Sequence, residues 1–259
     1  MYYEGRAQSV PTAETAESVA RKAENRDVGR DGRFELKMRL FDRQQRVRER
    51  DLTILTMRPA PAGAGTAGSG DRVLIRFTYP NDIRDTAFLV WEHPGADDER
   101  FLYLPALGRV RRIAGAETQD SFVGSDFTYE DISGREFDSY TYAMVEADAT
   151  WTAPDGQRAP AYRIESRARD AQARFPRIVS TIRKDNFVVV HADIYNRRND
   201  REKVYTVRRL EQIQSIWTLS EIVMTNTVEQ TRTELTTRSV RYNTGLKEAD
   251  FSRRELERK

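Results

Sequence analysis

The chain of 259 residues contains no cysteine. That excludes disulfides, thiolate metal sites and cysteine nucleophiles. Histidine occurs only twice, as His93 and His191, far apart and outside any H-x-x-x-H pair. A histidine-based metal site is therefore not expected. No P-loop, G-x-G-x-x-G or G-x-S-x-G pattern is present, and Gly124-Ser125-Asp126 is not a nucleophile elbow. A surplus of one charge is missing too. The 43 basic and 41 acidic residues leave a net charge of +2 and alternate along the chain. A nucleic-acid binder concentrates its Lys and Arg on one face, so no nucleic-acid partner is expected. No apolar run approaches the ~20 residues that cross a bilayer as a helix. Met1-Tyr2-Tyr3-Glu4 is followed by no apolar stretch of the kind a secretory leader carries. The chain is expected either to stay inside the cell or to begin after a removed leader.

What is present is alternation. Hydrophobic residues make up 38%, aromatic residues 10% and charged residues 32%. That is enough for a folded, β-rich protein with a thin core and a heavily charged surface. Thr12 to Asp27 reads as a helix, capped by Thr12 and carrying a stripe of Ala13, Ala16, Val19, Ala20 and Ala23. From Arg33 the period switches to two: Phe34, Leu36, Met38 and Leu40 alternate with charged residues. The same style recurs in 46–57, 73–79, 86–91 and 101–113. It continues in 140–144, 162–164, 178–183, 187–195, 203–213, 217–225 and 231–242. The last of these is rich in Thr and Arg, as expected at a wet sheet edge. Asp250 to Glu257 reads as a short closing helix. Residues 1–11 and the low-complexity stretch 59–71 are expected to be flexible parts of one domain spanning 1–259.

About eleven strands with mostly short turns predict an antiparallel meander, apolar on one face and charged on the other. A sheet of that size must curl or be covered, and one helix cannot cover it. The expected fold class is α+β, mainly β: an open, curved antiparallel sheet holding a helix and an irregular loop in its concavity. Incomplete cover would leave an apolar cavity of the kind that binds ligands. The candidate ligand-binding face is Leu36, Met38, Leu52, Ile54, Ile75, Phe77, Phe88, Val90, Leu102, Leu104, Tyr140 and Tyr142.

The most informative stretch is 101–131, FLYLPALGRVRRIAGAETQDSFVGSDFTYED. Loops this long are usually functional or disordered, and its two further Phe and its acids argue against a spacer. Asp120, Asp126, Glu130 and Asp131 could serve acid–base chemistry or bind calcium. They match no EF-hand spacing, and Asp126 with Glu130 can equally begin a short helix capped by Ser125 or Asp126. Arg109, Arg111 and Arg112 could meet anionic headgroups or pair with the acids Glu117, Asp120, Asp126 and Asp131. Phe122, Phe127 and Tyr129 are expected to face the concavity as a lid or rim.

The segments LYLPALGRVRRI (Leu102 to Ile113) and SFVGSDFTYEDI (Ser121 to Ile132) resemble the LolA-like outer-membrane lipoprotein-sorting family of Gram-negative bacteria. LIRFTYPNDIRDTAFLVWEH (Leu74 to His93) resembles that family's strand–Pro–strand segment. Thr233-Glu234-Leu235, Asn243-Thr244-Gly245-Leu246 and Asp250-Phe251 resemble its C-terminal signature. The resemblance covers roughly residue 12 to the end. It implies an unclosed antiparallel half-barrel with helices on its concave side. It implies a periplasmic carrier or binder of acyl chains or lipidated proteins, with an RND-type inner-membrane exporter as a possible partner. It brings no catalytic residue, no cofactor and no metal. The rival expectation is an accessory protein of an envelope transporter, its concavity filled by its own side chains.

Overall fold

The computed structural model describes residues 14–59 and 70–258. The expected flexible segments 1–11 and most of 59–71, and the Thr12 end of the helix, lie outside these residues. The N-terminal helix, α1 (Ala16–Glu24), starts later than expected. Thr15 is its cap, its side chain accepting from the Ser18 N–H at 3.1 Å.

Six strands follow: β1 (Asp31–Phe41), β2 (Val47–Met57), β3 (Arg72–Tyr79), β4 (Ala87–Trp91), β5 (Glu99–Leu104) and β6 (Arg109–Ile113). After a long crossover segment, 114–139, come β7 (Tyr140–Thr152), β8 (Arg158–Ala168) and β9 (Arg177–Arg183). The chain continues through β10 (Val189–Tyr195), β11 (Arg201–Ile213), β12 (Ile216–Asn226) and β13 (Thr231–Tyr242). All pair antiparallel in one sheet of order β6-β5-β4-β3-β2-β1-β13-β12-β11-β10-β9-β8-β7. The sheet is thus two meanders joined at β1–β13, and its edges β6 and β7 do not pair. This is the unclosed half-barrel, with thirteen strands among the described residues rather than about eleven. Five of them run to seven residues or fewer, and so few alternations make a count from periodicity low.

Two expectations about faces are corrected. β13 is central, not an edge, lying between β1 and β12. Its polar residues serve both faces. Thr233 and Leu235 share the face of their partners Leu40 and Met38, whereas Glu234 is buried on the other under Arg39, Arg208 and Arg232. Burial opposes ionisation of Glu234, but the arginines outweigh it and hold the carboxyl below its usual range. Nor is the convex side uniformly charged. Under β2–β5, Leu74, Leu89, Phe101 and Tyr103 form a second core with the C-terminal Leu246, Phe251 and Leu256. Trp91 Nε1 donates to the Phe251 carbonyl at 2.7 Å. Asp31 anchors the same tail, accepting from the N–H groups of Thr244 (2.7 Å) and Gly245 (3.1 Å). The chain ends in α3 (Arg253–Leu256), within the expected range. A bulge between Asp51 and Leu52 of β2 shifts the register against β3, and Tyr79 leaves the apolar face for solvent.

Candidate functional site: the covered concave face

The concave face carries the main core. Leu36, Met38, Leu52, Ile75, Phe77, Phe88, Val90, Leu102 and Tyr140 are buried in it, and Ile54, Leu104 and Tyr142 pack against it partly buried. All twelve candidate residues therefore meet on one continuous surface. The register explains why: Leu36, Leu52 and Phe77 are cross-strand neighbours, as are Ile54, Ile75, Phe88 and Leu102.

That surface is covered by the crossover. Phe122, Phe127 and Tyr129 are all less than a tenth exposed and belong to the same core. They form an interior plug rather than a rim. Ring centroids of Phe122 lie 5.9 Å from Phe77, 5.5 Å from Phe88 and 5.5 Å from Tyr129, and Phe88 lies 5.2 Å from Tyr129. Edge and tilted contacts at these distances add to plain burial. Toward the other edge, Ala16, Val19 and Ala20 of α1 cover Ile164 and Ile182.

Among the described residues, the backbone–backbone hydrogen bonds of the crossover close within 114–139, except at its end beside the start of β7, where the Arg169 N–H donates to the Ser139 carbonyl at 2.9 Å. Examples are Phe122 N–H to the Phe127 carbonyl (2.8 Å) and Tyr129 N–H to Asp120 (3.2 Å). Its ties to the sheet run through side chains instead. Asp126 accepts from the hydroxyls of Thr233 (2.7 Å) and Thr231, and its own N–H donates to Thr233 Oγ1 at 2.9 Å. Lys203 Nζ donates to the Asp126 carbonyl at 2.6 Å, and Arg50 Nη1 to the Val123 carbonyl at 2.6 Å. Both cations are buried, which lowers their pKa values. Val123 stands at φ 48°, in the left-handed region a β-branched residue rarely occupies. Arg100 Nε donates to Ser133 Oγ at 2.9 Å and Tyr140 OH to Glu130 Oε1 at 3.0 Å.

Asp126, Glu130 and Asp131 of the crossover are thereby given structural partners. Asp126 serves the threonines of β13. Asp131 completes the capping box of α2 (Tyr129–Ser133), whose cap is Thr128 rather than Ser125 or Asp126, and pairs with Arg135. Of the pairings expected between the crossover acids and the β6 arginines, Arg111–Glu117, at 2.9 Å, forms on the surface. Of the residues that clasp the crossover, Thr233 stands out in sequence only as part of the C-terminal signature, with no role attached, and Arg50, Lys203 and Thr231 do not stand out at all. Each shares the parity of inward apolar residues on its strand: Leu52 and Ile54 for Arg50, Tyr205 for Lys203, Leu235 for the two threonines. Among the described residues, no helix is long and apolar enough to cross a membrane.

A family model described as that of an uncharacterized protein matches residues 69–258. The fold also matches a crystal structure of an outer membrane lipoprotein-sorting protein domain from Vibrio parahaemolyticus. Identity is 29%, TM-score 0.81, and the match covers 94% of this chain and 98% of that one. The chain belongs to a LolA-like family. A DUF1329 family protein from Desulfovibrio piger is similar to the same degree: 26% identity, TM-score 0.81, 93% of this chain and 97% of that one. A LolA superfamily protein from Nitrosomonas europaea, at 15% identity, shares the fold (TM-score 0.67, 93% of this chain and 98% of that one). No curated protein sequence matches. In this LolA-like chain, the motif that carries the resemblance in sequence, SFVGSDFTYEDI, is the plug itself.

Proposed function

We propose that this LolA-like protein is a non-catalytic periplasmic carrier of a hydrophobic ligand, the acyl chain of a lipid or of a lipidated protein. The ligand would lie on the concave face, against residues such as Leu52, Ile75, Phe77 and Phe88, once the crossover lifts. One observation carries the reading: the cover is a segment tied to the sheet by side chains, not by ladder hydrogen bonds. Magnitudes allow the exchange. Burying three large side chains contributes about 5–9 kcal/mol, whereas about fourteen buried methylenes contribute about 11 kcal/mol. The description of the Vibrio structure as an outer membrane lipoprotein-sorting protein domain supports the same class. An RND-type exporter is the natural candidate for the membrane partner.

A second reading is favoured by the completeness of the plug, since Phe122 has no exposed surface. In it the protein is an accessory that docks a transporter and never opens. Mass spectrometry of organic extracts from natively expressed protein separates the two. The carrier yields about one lipid per protein and takes up a fluorescent fatty-acid analogue, faster in Asp126→Asn, where the clasp to Thr231 and Thr233 is weakened. No extracted lipid and no probe uptake by either protein would leave only the accessory role.

A further inference from the structure

At one end of the sheet the β8–β9 connection meets the β10–β11 turn. Arg174, Asn196, Arg197, Arg198 and Glu202 line a depression there of about 330 Å³. Three guanidiniums stand against one carboxylate. That carboxylate is already satisfied: Arg174 Nη2 reaches Glu202 Oε1 at 3.1 Å and Asn196 Nδ2 donates to Glu202 Oε2 at 3.2 Å. Arg197 donates Nε to the Ala173 carbonyl at 3.1 Å and Nη2 to that of Gln172. These bonds fix the guanidinium and leave further N–H groups for a ligand. Arg198 reaches Asp200 only at 3.5 Å and its side chain is 84% exposed. The turn that presents it is preorganised, because Asn196 Oδ1 accepts from the N–H groups of Arg198 (2.9 Å) and Asp200 (3.1 Å).

The depression adjoins the apolar interior. The Arg174 guanidinium lies 5.0 Å from the ring centroid of Phe175, which is buried in the concave core beside Ala192 and Ile194. It also adjoins the plug, since the Arg174 N–H donates to Gln119 Oε1 of the crossover. Planar guanidinium forks are the side chains best matched to phosphate oxygens. We infer that this depression is a phosphate subsite, taking the headgroup phosphate of a lipid whose acyl chain lies on the concave face. The inference rests on the carrier reading and names the ligand class: a phospholipid rather than a lipid without phosphate.

The test titrates the whole protein with three probes: short-chain phosphatidic acid, diacylglycerol with the same chains, and inorganic phosphate. Phosphatidic acid is expected to bind about tenfold or more tightly than diacylglycerol. Arg197→Gln/Arg198→Gln removes that preference and leaves diacylglycerol binding unchanged. Arg198→Gln alone, which disturbs no carbonyl contact, reduces the preference in the same direction. Thermal melts of each variant check that the fold is kept. Equal affinity for the two lipids, or a preference untouched by both variants, overturns the subsite while the carrier reading stands. Inorganic phosphate bound as tightly as phosphatidic acid, with diacylglycerol silent, overturns the lipid source and the carrier reading with it, leaving a site for a free anion. Silence of all three probes overturns both.

Discussion

The two halves of the concave face are built from similar strands and covered in opposite ways. Over β1–β6 the cover is aromatic and irregular, with Phe122, Phe127 and Tyr129 set against Phe77 and Phe88. Over β7–β9 it is a regular helix with a stripe of small residues, Ala16, Val19 and Ala20. The plug concentrates its burial in a few large side chains and draws little from regular backbone hydrogen bonding. The helix has a satisfied backbone and a cap but buries little per residue. On the carrier reading proposed above, the first cover is the one a better apolar occupant displaces without breaking the sheet. The other is a fixed wall.

The sharpest way to break this comparison is to truncate one residue on each side. Phe122→Ala removes a fully buried ring from the plug and is expected to cost about 3–5 kcal/mol in urea unfolding. Val19→Ala, on the sheet-facing side of α1 and equally buried, is expected to cost about 2 kcal/mol or less. Phe122→Ala should also raise binding of an apolar dye, because it leaves a cavity against Phe77 and Phe88. Equal losses at the two positions would mean that the plug is no more concentrated than the helix.

A second difference is electrostatic. Glu92 follows β4 on the plugged half, with Oε2 accepting from the Asp71 N–H at 3.3 Å. Gly134, just past α2, comes so close that a Cβ there would stand 3.6 Å from Glu92 Oε1. Burial pushes the Glu92 carboxyl up from 4.5 to about 7, and the neighbouring Asp71 and Asp98 push it the same way. The folded state therefore holds this proton more tightly than the unfolded chain. Its contribution to stability is fully present below about pH 4.5 and is lost as pH rises through about 7, by roughly 3 kcal/mol. Melting temperature should fall between pH 5 and 7.5. Glu92→Gln should flatten most of that fall, while the raised Glu24 and Glu136 keep a remainder. An unchanged slope in Glu92→Gln would place the titration elsewhere. The depressed carboxyls Asp31 and Glu234 act with the opposite sign and at lower pH, so they do not obscure this window.

Much of this was legible in the sequence because period two survives wherever only one face is buried. Leu36, Met38, Ile75, Phe77, Phe88 and Val90 fall on the concave face from parity alone. Parity failed where both faces are buried. Ala87, Phe88, Leu89 and Val90 form a continuous apolar run, and nothing local says that Phe251 and Leu256, more than a hundred and fifty residues away, cover its convex side. It failed again at β13, where threonines that look solvated are inward partners for Asp126. The crossover was recognisable as a cover from its aromatic residues. Its partners were not, because they come from β2, β11 and β13, remote in sequence and adjacent only once β1 pairs with β13.

The smallest expected effect belongs to the wall. α1 has nine residues, too few to be stable alone, so it exists through its cap and its contact with the sheet. Thr15 supplies the cap through one side-chain bond to Ser18, and Glu17 stands at the positive end of the helix. Thr15→Ala should cost about 1 kcal/mol and raise amide exchange across 16–24. It should leave exchange in 120–133 unchanged, since the cap bond lies within the N-terminal end of the helix itself. Faster exchange in both segments would show that the two covers open together, and the contrast between a displaceable plug and a fixed wall would give way to a single cooperative lid.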